Sequence, residues 1–105
     1  MKAEYEISLN MKTLKGLETY GCFKLGTDAA LATSLFASLQ GDEEVMIDSL
    51  ITIDLVKREN GLLFPLELRH CNYGQLAENV KIITRELFKK LNLEAYLCVS
   101  KSSFI

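Results

Sequence analysis

Apolar residues recur at two different periods along this chain, and the switches between them mark out its elements. Tyr5, Ile7, Leu9 and Met11 alternate with Glu4, Glu6, Ser8 and Asn10, the period-two pattern of a half-buried strand. Lys15-Gly16 makes a turn, and Thr19–Leu25 resumes a strand with Tyr20, Cys22 or Phe23 directed inward. Gly21 within it marks a bulge or a close backbone approach. Past Gly26 the period lengthens. Leu31, Ala32, Leu35, Phe36 and Leu39 form a helical stripe, with Thr27 or Asp28 as N-cap and Gly41 as the stop. Gly41–Glu44 reads as an acidic turn, and Val45–Asp48 as a short strand or the start of the next one.

The stretch Leu50–Leu91 organises the rest. Asn60-Gly61 lies between two apolar runs, and both residues tolerate the positive φ of a two-residue type I′ hairpin turn. Such a turn sets Glu59 opposite Leu62, and the register follows by counting. Leu55 then opposes Leu66, Ile53 opposes Leu68 and Ile51 opposes His70 on one face. On the other face Val56 meets Pro65, Asp54 meets Glu67 and Thr52 meets Arg69. A helix follows, with Leu76, Val80, Ile83, Leu87 and Leu91 as its stripe, widened by Ala77 and Phe88. Glu78, Lys81, Arg85, Glu86 and Lys89 fall outside it, and Glu86 and Lys90 stand four apart in the favourable order. Asn72 is the expected N-cap and Gln75 its capping-box partner. Asn92 provides a stop, Tyr96–Ser100 a last strand, and Lys101–Ile105 a tail. The expected core is Ile53, Leu55, Leu66, Leu68, Val80, Ile83 and Leu87.

The whole chain, residues 1–105, reads as a single α+β domain. Without its first strand the order is βαββαβ, which resembles the ferredoxin-like two-layer α/β sandwich; the first strand is then an N-terminal addition. That arrangement makes the strand carrying Pro65 central, where proline is disfavoured. Either a bulge occurs at Pro65, or this strand is an edge and the order differs.

Composition narrows the classes. The chain is 49% hydrophobic and 25% charged with a net charge of -2, so no global basic field draws it to nucleic acid or anionic lipid. Lys81, Arg85, Lys89 and Lys90 are the best local basic patch, but Glu78 and Glu86 are interspersed with them. Three widely spaced cysteines, Cys22, Cys71 and Cys98, and a single histidine supply no zinc pattern. Free thiols in a reducing cytoplasm are expected. Glu4, Glu6 and Asn10 interrupt any secretion-signal core, and no run has membrane-spanning length.

The candidate chemistry lies in the hairpin. Asp54 and Glu67, placed opposite one another, repel unless Arg69 or a divalent cation compensates them. The stretch Ile53-Asp54 … Leu66-Glu67-Leu68-Arg69, with Gln75 at the next helix start, is similar to the metal-binding hairpin of PD-(D/E)xK nucleases. The resemblance implies a metal held by Asp54 and Glu67 that activates water against a phosphodiester, with Arg69 where the family has lysine. It covers only the hairpin and the helix start. His70 and Cys71 point to opposite faces of a strand and make no dyad, with His70 expected to cap the core face or the helix entrance. Tyr73 is expected to pack at the helix entry. No residue is assigned as catalytic, cofactor-binding or metal-binding, and no cofactor is expected. The reading is a cytoplasmic binding, regulatory or protein-interaction domain without catalytic activity; the alternative is the nuclease-like phosphodiesterase. The small neutral strip Ala30, Thr33, Ser34 and Ala37 on the first helix is the expected contact with a second copy or another protein.

Overall fold

The computed structural model describes residues 3–45 and 49–99, with side chains described as far as Lys90. Its elements are β1 (Glu4–Thr13), β2 (Gly16–Gly26), α1 (Ala29–Ala37), β3 (Ile51–Glu59), β4 (Leu62–Cys71) and α2 (Tyr73–Val99). The four strands form one antiparallel sheet in the order β2-β1-β3-β4, and both helices lie on one face of it. The α+β class therefore holds, but the ferredoxin-like order does not. The added N-terminal strand β1 is central and pairs with β3, and β4 is an edge. The strand expected over Tyr96–Ser100 is helical through Val99, α2 running past Asn92; Ser100 and the tail lie outside the described residues. Val45 belongs to no strand, and the rest of the expected Val45–Asp48 strand also lies outside them.

Local signals account for much of this. Asn60 and Gly61 take φ of 56° and 79°, as the hairpin turn requires. The Asp28 carboxylate caps α1 by accepting from Leu31 N–H at 3.0 Å, and α1 ends before Gly41, at a Ser38 cap. At the start of α2 the capping box is reciprocal. Gln75 N–H donates to Asn72 Oδ1 at 2.8 Å, and Asn72 N–H donates to Gln75 Oε1 at 3.0 Å. Along the surface of α2, Glu86 pairs with Lys89 and Arg85. Lys90, its expected partner, donates instead to Leu25 C=O at the end of β2 (3.3 Å).

The hairpin register follows the turn as far as Val56↔Pro65 and then changes. Leu55 pairs with Glu67, Asp54 with Leu68, Ile53 with Arg69, Thr52 with His70 and Ile51 with Cys71. Leu66 is the extra residue of a β-bulge. Both alternatives for Pro65 are realised together, since a bulge adjoins it and its strand is an edge. Its missing N–H, at a non-hydrogen-bonded position of the hairpin, faces the open side where nothing needs it.

The bulge moves every following β4 side chain to the other face. Leu66 and Leu68, expected in the core, are 44% and 42% exposed. The actual core comprises Ile7, Leu25, Ala32, Leu35, Phe36, Leu39, Ile51, Ile53, Leu55, Cys71 and Ile83. Leu76 and Leu87 pack at its margin, Val80 is half-buried, and Ala77 and Phe88 are exposed. In β2 a bulge at Tyr20 leaves that ring and Cys22 outside, while Phe23 packs against the core.

One polar side chain sits in the middle of the core face of α2. Asn79 is fully buried and reads the backbone of Gln40 twice, accepting from its N–H (2.7 Å) and donating to its C=O (2.8 Å). The connection is held close here. A Cβ on Gly41, whose φ is +147°, would stand 3.0 Å from Arg69 Cβ and 3.1 Å from Cys71 Sγ.

Truncating Ile53 or Leu55 to alanine is expected to cost about 2–5 kcal/mol in urea unfolding. Leu66→Ala and Leu68→Ala should cost under about 1 kcal/mol; equal losses in the two sets would contradict the bulged register. Asn79→Ala should cost about 1–3 kcal/mol, because the Gln40 N–H and C=O both lose their side-chain partner. A near-neutral Asn79→Ala would mean that Gln40 finds other partners.

Candidate functional site

The bulge separates the two carboxylates that sequence pairing sets side by side. Asp54 alternates with the buried Ile53 and Leu55, so it lies on the sheet face that neither helix covers. Glu67 lies on the helix face with Arg69. There the Arg69 guanidinium accepts no role in neutralising Asp54. Its Nη1 donates to Phe36 C=O (3.2 Å) and Leu39 C=O (3.3 Å), its Cζ stands 4.9 Å from the centre of the Phe36 ring, and Nη2 pairs with Glu67 Oε1 at 3.4 Å. Gln75 is engaged in the α2 cap. The hairpin therefore does not bring Asp54 and Glu67 onto one cation, and the described residues contain no group of three or more His, Cys, Asp or Glu able to hold a metal ion.

The uncovered face carries a polar network at its centre. Thr19 Oγ donates to Asn10 Oδ1 at 2.6 Å, Ser8 Oγ donates to the same oxygen at 3.2 Å, and Asn10 Nδ2 donates to Thr52 Oγ at 3.3 Å. Asn10 and Thr52 are buried by their neighbours in the sheet even though no helix lies over them. Asp54 adjoins this network, between Ser8 of β1 and Leu68 of β4. Its Oδ1 is buried and accepts no hydrogen bond. Burial raises its pKa above the ordinary carboxylate range, against the opposing pull of Thr52, Asn10 and the charge on His70. His70 is also on this face, opposite Thr52, which rules out the core-face alternative of the two places expected for it. Its backbone forms an antiparallel bridge with Asp42, at 2.9 and 2.7 Å.

Two further surfaces bear on function. Leu62, Leu63, Phe64, Leu66 and Leu68 on β4 are between 41% and 60% exposed, and they belong to both faces of the strand. The run Leu62–Leu66 lacks alternation, and that was the available signal. A strand that is apolar on both faces at the edge of a two-layer sheet has nothing to bury its second face. On α1, Ala30, Thr33, Ser34 and Ala37 are all exposed, as the helical pattern predicts. Beside them a groove of about 360 Å³ runs between the helices, with Ser34 and Ser38 on one wall and Ile82, Arg85 and Glu86 on the other. Tyr73, expected to pack at the helix entry, is exposed. Comparison with models of protein families, with curated proteins and with solved structures gives no match.

Of the cysteines, Cys22 is exposed and free and Cys71 is buried and free; the Cys98 side chain lies outside the described residues. Burial raises the Cys71 thiol pKa, and at the exposed Cys22 partial desolvation at the sheet surface, with the Glu6 carboxylate adding to it, raises the pKa as well. Cys71 Sγ also contacts Gln40 C=O at 3.4 Å.

With its pKa raised in the folded state, Asp54 retains a proton there that the unfolded chain has already lost. Stability is therefore expected to fall as pH rises from the ordinary carboxylate range through the raised value, and to level off above it. Asp54→Asn should remove that slope and raise Tm at pH 7; parallel Tm–pH profiles for the two proteins would refute the assignment. Alkylation of the native protein should label Cys22 and leave Cys71 intact until denaturant is added, as peptide mapping would read. Native labelling of Cys71 would contradict its burial.

Proposed function

We propose that the chain is a small binding domain of the regulatory or protein-interaction kind, and that its contacts run through β4 and the adjoining first helix. The observation that carries this reading is the cluster of five large apolar side chains, Leu62, Leu63, Phe64, Leu66 and Leu68, exposed on one edge strand. Exposed apolar surface concentrated in one element, and not scattered singly, is the ordinary signature of an interaction surface. The strip Ala30, Thr33, Ser34 and Ala37 on α1 offers a second exposed surface that is cheap to desolvate, carrying hydroxyls and methyls but no charge. A second copy of the chain or another protein is the partner. A lipid span is not invoked, because no helix among the described residues is long and apolar enough to cross a membrane. Free Cys22 and Cys71 fit a reducing cytoplasmic setting. The phosphodiesterase reading draws no support from the Asp54 and Glu67 positions, since these carboxylates occupy opposite faces of the sheet.

Sedimentation across a concentration series tests the homodimeric form of the proposal. Wild-type protein should associate, and Leu63→Lys, at a side chain 53% exposed, should return it to monomer with the far-UV circular dichroism of the fold unchanged. Ala37→Arg should do the same if the α1 strip takes part. A wild type that stays monomeric at high concentration would remove the homodimer, and a rise in Tm with Mg²⁺ or Mn²⁺ would restore the metal-dependent alternative.

A further inference from the structure

We draw no further inference here: the strongest candidate, the half-buried Asp54 carboxyl on the uncovered sheet face, has its unpartnered oxygen closed off from solvent and so from any ligand, and nothing in the structure shows what covers the apolar strip along β4.

Discussion

A single inserted residue decides what the edge of this sheet presents to each side. Up to Pro65 the hairpin obeys the count set by its turn; beyond Leu66 every β4 side chain has exchanged faces. The exchange delivers Arg69 to the helix layer, where its guanidinium meets Phe36 C=O in the last turn of α1 and Leu39 C=O just beyond it, and it delivers Cys71 to the core. Unbulged, the same strand would set Leu68 beside Ile53 and leave Arg69 on the open face, with the C-terminal end of α1 lacking its donor. That end has no basic residue of its own. A cation from another element thus takes the place that a lysine or arginine in the last turn would occupy, facing the negative end of the helix.

Around Arg69 the packing of the two helices depends on polar groups as much as on apolar area. Asn79 holds the Gln40 peptide by both its hydrogen-bonding groups, Cys71 touches the same carbonyl, and Gly41 lets the backbone come down onto Arg69 and Cys71. The Asn79 and Cys71 side chains that make these contacts are themselves buried, so breaking one leaves a buried polar group short of a partner as well as losing the bond. Apolar contact alone allows a short helix such as α1 to slide along the sheet, because hydrophobic burial is non-directional. Paired donors and acceptors do not allow that. The connection from α1 to β3 is pinned at one register, and the Asp42 bridge to His70 extends the same pin to the sheet edge.

The parts of the fold legible in the sequence are those set within a few residues. The alternation of β1, the Asn60-Gly61 turn, the Asp28 cap and the Asn72–Gln75 box all depend on near neighbours. The parts that were not legible depend on contacts distant in sequence. Nothing near Leu66 announces a bulge except Pro65, and the pairing of β1 with β3 joins segments about forty residues apart. A stripe read by hydrophobicity chooses Val80 and misses Asn79, whereas the row facing the core runs through Leu76, Asn79, Ile83 and Leu87. The Asp54–Glu67 pair failed for the same reason as the core leucines. Each was read from a register that the bulge changes.

The backbone edge and the side-chain faces of β4 behave differently as surfaces. The edge is guarded: Pro65 offers no N–H, the Leu66 bulge breaks the regular spacing of the strand, and Asp42 already occupies His70. Addition of another strand along this edge is therefore disfavoured. The faces carry no comparable protection. α2 begins beside the end of β4 and reaches Leu25 on β2 by Lys90, so it crosses the sheet towards the opposite edge. The turn-proximal half of the hairpin is left uncovered, with Leu62 and Phe64 on the helix side and Leu63 on the other. On the helix side the charges are balanced, Lys57 pairing with Glu59 at 3.5 Å while its ammonium stands 5.5 Å from the Phe64 ring. The partner proposed above would meet apolar side chains beside a neutralised ion pair here, and the guarded edge favours packing against a face over extending the sheet.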